Sequence, residues 1–148
     1  MKVKIAPATA ETFAELEAWR YEPPYAFYDG DQDPVVNPER FYGAVGDDGT
    51  LVGFYYLEEK GEAVEIGLGL RPNLTGLGLG AEFLEAGLDL ARTRFAGRPI
   101  ILKVAAFNER AIKVYERAGF HETGRHMRRF TRWGDVEFVE MEEDRGRR

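Results

Sequence analysis

The feature that most constrains this sequence is an apolar run that passes into closely spaced glycines and then into a helical pattern. The run AVEIGLGL, Ala63 to Leu70, has the β-favouring composition of a strand. The stretch RPNLTGLGLG follows it, and apolar residues then recur at helical spacing over 80–95. Backbone N–H groups can converge at such a helix N-terminus, which favours an anion there. A flexible turn is the alternative interpretation.

The spacing of the glycines excludes two nucleotide-binding motifs. Gly76, Gly78 and Gly80 form G-x-G-x-G, whereas the dinucleotide fingerprint requires G-x-G-x-x-G. The mononucleotide loop G-x-x-x-x-G-K-[ST] is missing from the sequence as well. Two further glycines, Gly67 and Gly69, lie inside the predicted strand and indicate a bulge or the close approach of another group.

The rest of the chain shows alternating strand and helix patterns. Turn residues in GDDGT and TRWGD predict two hairpins. The predicted order is strand, helix, long loop, three strands, helix, strand, helix and two strands, which indicates an α/β fold with a mixed sheet and flanking helices. We expect one domain over 1–148, with 143–148 as a flexible basic tail. One predicted hairpin covers 41–59, and the apolar run at 63–70 is a further strand. The other predicted strands are Lys2 to Ala6, Ile100 to Ala106, His121 to Phe130 and Asp135 to Glu142. The predicted helices begin near Thr9, Gly80 and Asn108.

Composition narrows the classes of function. The net charge of −6, from 26 acidic and 20 basic residues, disfavours binding to nucleic acid or to anionic membranes. The basic stretch 124–133 could bind RNA, but a solvated strand face is the favoured interpretation. The lack of cysteine excludes disulfides, zinc-thiolate sites and cysteine nucleophiles, and we expect no metal site. No apolar run approaches the roughly 18 residues of a membrane span, so we expect a cytoplasmic protein.

A second motif, NERAIKVYERAGF at 108–120, has the form N-x-x-A-x-x-x-Y-x-x-x-G-F. Together with LRPNLTGLGLG it resembles the GNAT family of N-acetyltransferases, and the predicted element order resembles that family over nearly the whole chain. The resemblance implies a mostly antiparallel twisted sheet with a splayed central strand pair. It also implies transfer of an acetyl group from acetyl-CoA to a primary amine by direct attack in a ternary complex. The alternative is a catalytically silent acyl-CoA-binding or sensing module on the same fold.

The resemblance also implies which residues contact the cofactor. The family loop [QR]-x-x-G-x-[GA] binds the pyrophosphate, but here Thr75 stands at the Gln/Arg position and Leu77 at a frequently basic one. We therefore expect backbone amides to supply most of the contacts, with Arg71, Arg110 and Lys113 as candidate sources of positive charge. The amide of Leu70 would donate to the thioester carbonyl. The expected cofactor-binding residues are Leu70, Thr75, Gly76, Leu77, Gly78, Leu79, Gly80, Ala81 and Asn108, of which Asn108 is also a candidate helix cap.

Tyr115 matches the family tyrosine that protonates the departing CoA thiolate. A phenol, with a pKa of about 10, is a suitable acid for a thiolate. The alternative is packing against Ala111 and Ala118 on a buried helix face.

A base is needed because a protonated amine cannot attack a thioester. Glu65 on the splayed strand is the best-placed carboxylate and could act directly or through water. The alternative is a surface strand acid. Other candidates are Asp29, Asp31 and Asp33, whereas His121 and His126 are expected to face solvent.

The long loop WRYEPPYAFYDGDQD at 19–33 is expected to bind the acceptor. Aromatic faces with acids nearby suit a cationic or partly apolar amine, on a small molecule or a peptide. The expected acceptor-binding residues are Tyr25, Tyr28 and Asp29. Dimers are common in the family, so the resemblance is compatible with a homodimer.

Overall fold

The computed structural model describes residues 2–30 and 35–144, and within them the chain forms seven strands and three α-helices. Their order is the predicted one. Asp31, Asp33 and residues 145–148 of the expected tail lie outside the described residues, whereas Glu143, the first residue of that expected tail, belongs to the last strand and is buried. The elements are β1 (Lys4–Pro7), α1 (Ala10–Ala18), β2 (Phe41–Val45), β3 (Leu51–Lys60), β4 (Ala63–Leu70), α2 (Gly80–Arg94), β5 (Ile100–Ala105), α3 (Glu109–Arg117), β6 (Phe120–Phe130) and β7 (Gly134–Glu143).

The strands form one mixed sheet in the order β1-β2-β3-β4-β5-β7-β6. The pairs β1–β2, β2–β3, β5–β7 and β6–β7 are antiparallel, whereas β4 and β5 are parallel. The parallel ladder consists of Val64 with Ile100 and Glu65 with Ile101, although β4 continues to Leu70. The predicted mixed sheet with a splayed central pair is therefore confirmed. The first strand begins two residues later than the predicted Lys2, at Lys4.

The described chain divides into two compact units. The first comprises residues up to 57 together with 68–87, and the second comprises 58–67 together with residues from 88 onward. Among the described residues, no helix is long and apolar enough to cross a membrane. The single domain over 1–148 stays a prediction.

In the first unit, the N-terminal half of α2 packs on β3. The ring of Tyr55 stacks on Phe83 at 4.5 Å between centroids, and its hydroxyl donates to the Phe83 carbonyl oxygen at 2.6 Å. A Cβ atom on Gly53 would lie 2.3 Å from the Phe83 ring, so this position accepts only glycine. The predicted close approach at Gly69 is confirmed, because the ring of Phe54 would lie 2.4 Å from a Cβ there. These contacts fix the residues on both sides of the glycine-rich loop.

In the second unit, α3 begins at a side-chain cap and the sheet carries a buried core. The Oδ1 atom of Asn108 accepts the amide N–H of Ala111 at 3.2 Å, which confirms the predicted cap. The apolar residues Leu88, Ala91, Leu102, Val139 and Met141 are all buried. Two of the predicted site residues lie here, Asn108 at the cap of α3 and Tyr115 on the helix itself.

Candidate functional site

The glycine-rich loop of the first unit has a backbone that only glycine adopts easily. Gly76 and Gly78 have φ values of 74° and 79°, in the left-handed region. A Cβ on Gly78 would meet nothing within 4 Å, so the conformation rather than crowding requires glycine. Leu77 between them is 64% exposed. The loop leads directly into α2, which begins at Gly80.

The side chain of Thr75 is turned toward its own chain. Its hydroxyl donates to the carbonyl oxygen of Pro72 at 2.7 Å and closes the short 3-10 turn Pro72–Leu74. The first amides of α2 have no acceptor within the helix and carry the positive end of its dipole. The loop can therefore bind an anion through backbone groups.

A residue that the sequence did not single out lies at the end of β4. The hydroxyl of Tyr21 donates to the carbonyl oxygen of Leu70 at 2.5 Å. Burial, and secondarily the charge of Asp29, raises the pKa of the Tyr21 phenol far above its usual value. The next amide, that of Arg71, donates to Val52 on β3 at 2.8 Å. The peptide after Leu70 is thus held on both sides.

The expected acceptor residues lie beside Tyr21. The Oδ1 atom of Asp29 accepts the amide N–H of Tyr21 at 2.7 Å, so this carboxylate shapes the loop. Tyr25 and Tyr28 begin and end a short 3-10 turn, and Tyr28 is 37% exposed. The structure therefore brings Tyr25, Tyr28 and Asp29 into one loop segment that Tyr21 connects to Leu70.

Glu65, the candidate base, lies on the part of β4 that belongs to the second unit. Its side chain is 16% exposed, and within the described residues its Oε1 atom is buried without a hydrogen-bond partner. The Nζ atom of Lys103, on β5, lies 3.4 Å from that oxygen. Glu65 is therefore largely buried, unlike the surface strand acid of the alternative interpretation.

Tyr115 and Asn108 lie on or before α3, also in the second unit. Tyr115 is half-buried, and its ring centroid lies 6.1 Å from that of Phe120. The side-chain oxygen of Asn108 is engaged by its cap bond, while its backbone N–H donates to the carbonyl oxygen of Ala105 at 2.9 Å. The predicted residues are thus divided, with Leu70 and the loop 75–81 in the first unit and Glu65, Asn108 and Tyr115 in the second.

The remaining ionisable candidates have different surroundings. Arg71 pairs with Glu15 at 3.0 Å, whereas Arg110 and Lys113 lie on the exposed side of α3. His121 is exposed, as expected, and contacts Asp144. His126 is 32% exposed, and its ring stacks on that of Phe138.

Comparison with known families places the chain in a defined class. A model of the acetyltransferase (GNAT) family matches residues 6–120. The chain therefore belongs to the GNAT family of acetyltransferases, as the two sequence motifs predicted.

The relatives that this chain matches are named acetyltransferases. The chain is 36% identical over 91 residues to the mycothiol acetyltransferase of Clavibacter michiganensis subsp. michiganensis, an alignment that covers 61% of the chain and 29% of the relative. It is 39% identical over 98 residues to that of Streptomyces coelicolor, covering 62% and 30%. The chain thus spans less than a third of these relatives' length.

Two solved structures share the fold. A putative phosphinothricin N-acetyltransferase has a TM-score of 0.73 at 16% identity, covering 97% of this chain and 98% of that one. A chimera of the spermidine N-acetyltransferase SpeG from Vibrio cholerae and hSSAT has a TM-score of 0.74 at 22% identity, covering 97% and 96%. At these identities the likeness shows the fold alone.

Proposed function

We propose that this chain transfers the acetyl group of acetyl-CoA to a primary amine by direct attack in a ternary complex. The observation that carries the proposal is the loop before α2, where Gly76 and Gly78 adopt left-handed backbone conformations at a helix N-terminus. Such a loop exposes amides without side-chain obstruction, and the family uses the equivalent loop for the CoA pyrophosphate. Membership of the acetyltransferase family supports the same reaction.

In this proposal backbone N–H groups make most of the contacts with the cofactor. The amides of Gly76 to Ala81 bind the pyrophosphate, because the Thr75 hydroxyl is already donated to Pro72 and Leu77 is apolar. Asn108 adds a further contact, and the amide of Leu70 donates to the thioester carbonyl. When bound, acetyl-CoA supplies the activated acyl group. A few kcal/mol of transition-state stabilisation is typical of one such oxyanion donor.

Two side chains move protons in this scheme. The Glu65 carboxylate accepts a proton from the attacking amine, directly or through a water molecule. Its side chain is 16% exposed and its buried Oε1 atom lies 3.4 Å from the Lys103 ammonium, so the other carboxylate oxygen is the one proposed to accept the proton. The Tyr115 hydroxyl donates a proton to the departing sulfur, which keeps the thiolate from reversing the reaction.

A panel of amines with acetyl-CoA, followed by release of free thiol, tests the proposal. We expect release with at least one amine, and a loss of about a hundredfold or more in kcat when Tyr115 is replaced by phenylalanine. An unchanged rate in Tyr115→Phe would remove this residue from the mechanism. A silent acyl-CoA-binding module would instead bind acetyl-CoA and release no thiol with any amine.

We further propose that the acceptor is a cationic or partly apolar amine bound at Tyr25, Tyr28 and Asp29. The net charge of −6 and the aromatic composition of the loop support this class of acceptor. Because Asp29 also accepts the Tyr21 amide, Asp29→Asn is the appropriate variant, since it keeps an acceptor oxygen and removes the charge. We expect KM to rise about tenfold for a dicationic amine and to stay constant for a monoamine of similar size.

A further inference from the structure

Four ionisable side chains form a line across one face of the sheet in the second unit. They are Glu65 on β4, Lys103 on β5, Glu140 on β7 and His126 on β6, called here the charged diagonal. Glu65 is directly opposite Ile101, two residues before Lys103, and Lys103 is directly opposite Glu140. Residues directly opposite, and residues two apart on one strand, share a face of the sheet.

Contacts join the two outer pairs of the charged diagonal, whereas Lys103 and Glu140 in the middle are related by strand register. The Lys103 ammonium lies 3.4 Å from Glu65 Oε1, and the Nδ1 atom of His126 lies 2.8 Å from Glu140 Oε2. The His126 ring is fixed by stacking on Phe138, with 5.5 Å between centroids and 12° between planes. Lys103 therefore lies between two carboxylates, one of which is the proposed base.

We infer that Lys103 is a positioning residue, whose ammonium compensates the charge of the Glu65 carboxylate and holds it in one orientation, while the Glu140 carboxylate opposite Lys103 acts on the same ammonium. Because Glu65 is the base of the proposed function, this role rests on that function. Lys103 itself touches neither substrate nor reacting atoms in this scheme.

The surroundings of Glu65 show why a cation is needed there. A buried carboxylate oxygen without a hydrogen bond is costly to ionise unless a positive charge compensates it. A two-residue turn at 61–62 pairs Glu58 of β3 with Glu65, a register that agrees with the hydrogen bond from the Arg71 amide to Val52, and Glu58 thus adds a like charge on the same face. Glu58 in turn is 3.3 Å from the ammonium of Lys60. The ammonium of Lys103 offsets both effects at Glu65.

The pH dependence of kcat/KM separates this role from a structural one. In Lys103→Met we expect the acid limb to move upward by about one pH unit, so that kcat/KM at a fixed pH on that limb falls about tenfold. The charge-conserving Lys103→Arg should restore the limb. The KM for acetyl-CoA should not change, because Lys103 is not in the cofactor loop.

A second variant predicts a shift of opposite sign. Glu140→Gln removes the carboxylate that competes for Lys103, so the acid limb should move to lower pH. The matched control for Lys103→Met is Arg129→Met, which also removes one positive charge. Arg129 forms an exposed pair with Asp135 at 2.7 Å, and its position places it on the other face of the sheet. Its profile should coincide with that of the wild type.

An NMR titration tests the pairing of Lys103 with Glu65 without any need for activity. The protein carries 13C-labelled glutamate, and the Glu65 carboxyl signal is assigned by its loss in Glu65→Gln. We expect the midpoint to rise by about one unit in Lys103→Met and to return in Lys103→Arg. Equal midpoints and equal acid limbs in wild type and Lys103→Met would overturn the inference. So would a shift in the acid limb that persists in the Glu65→Gln background.

These outcomes are distinct from a failure of the proposed function. If no amine releases thiol in the wild type, acetyl transfer fails, while the NMR titration still decides whether Lys103 controls Glu65. If Lys103→Met does not fold, the other two variants test the inference. The acid limb of Glu140→Gln should move to lower pH, and the acid limb of Lys103→Arg should stay at its wild-type position.

Discussion

The hydroxyl of Tyr21 donates a 2.5 Å hydrogen bond to the carbonyl oxygen of Leu70, the last residue of β4. The amide of the same tyrosine is held by Asp29 at 2.7 Å. One residue therefore connects the aromatic loop, where we propose that the acceptor binds, to the strand end whose amide we propose to bind the thioester carbonyl. A shift of this loop would move the peptide that follows Leu70.

The first prediction concerns this hydrogen bond. Tyr21→Phe leaves the Leu70 carbonyl without its partner, which should lower the free energy of unfolding by about 1–2 kcal/mol. If the bond also orients the Leu70 peptide, kcat for acetyl transfer should fall by about tenfold. Urea denaturation and thiol-release kinetics measure the two effects separately.

Tyr55→Phe is the matched control, because Tyr55 also donates a buried hydrogen bond, to the Phe83 carbonyl at 2.6 Å. It should cost a similar amount of stability and leave kcat within about twofold of the wild type. Equal kinetic losses in the two variants would mean that the Tyr21 bond has no special role in acetyl transfer.

The second prediction concerns the apolar residue of the phosphate loop. Leu77 is 64% exposed and stands where the family often has a basic residue. Leu77→Lys should therefore tighten acetyl-CoA binding by about tenfold at low salt, and the gain should shrink as salt screens the added charge. Isothermal titration with CoA measures it.

Val36→Lys controls for the change in net charge, since Val36 is equally apolar and also 64% exposed. An equal gain in CoA affinity from Val36→Lys would show that net charge, rather than the loop, controls binding.

The glycine loop and the Asn108 cap were predictable because their signals are local. Adjacent residues are enough to predict both features. The glycines stand directly before a helix, and Asn108 stands three residues before the backbone N–H that it caps. The Tyr21–Leu70 bond joins residues 49 positions apart, across a loop with no periodicity. The Glu65–Lys103 pair depends on a parallel pairing between two strands that α2 separates along the chain, and neither strand's own pattern specifies that register.

The third prediction concerns packing under the loop. In Gly53→Ala the new methyl carbon would lie 2.3 Å from the Phe83 ring and 2.6 Å from the Gly69 carbonyl oxygen. Because one contact is with backbone, side-chain motion alone cannot relieve it, and we expect a loss of about 2–3 kcal/mol in unfolding free energy. Gly124→Ala, also in a strand but with nothing within 4 Å, should change stability by less than about 1 kcal/mol. Chemical denaturation measures the free energy of unfolding of both variants. Equal losses of stability would contradict the packing explanation.

The fourth prediction concerns a buried ion pair that holds α2 to β7 in the second unit. The guanidinium of Arg92 contacts Glu143, whose side chain is 2% exposed. Arg92→Met should cost about 3 kcal/mol, because it leaves a buried carboxylate without its partner. Arg92→Met combined with Glu143→Leu should be more stable than either single variant, since an apolar pair needs no compensating charge. A double-mutant cycle by urea denaturation measures the coupling. Additive losses would show that the two groups act independently, and that α2 is held by the packing of Leu88 and Ala91 alone.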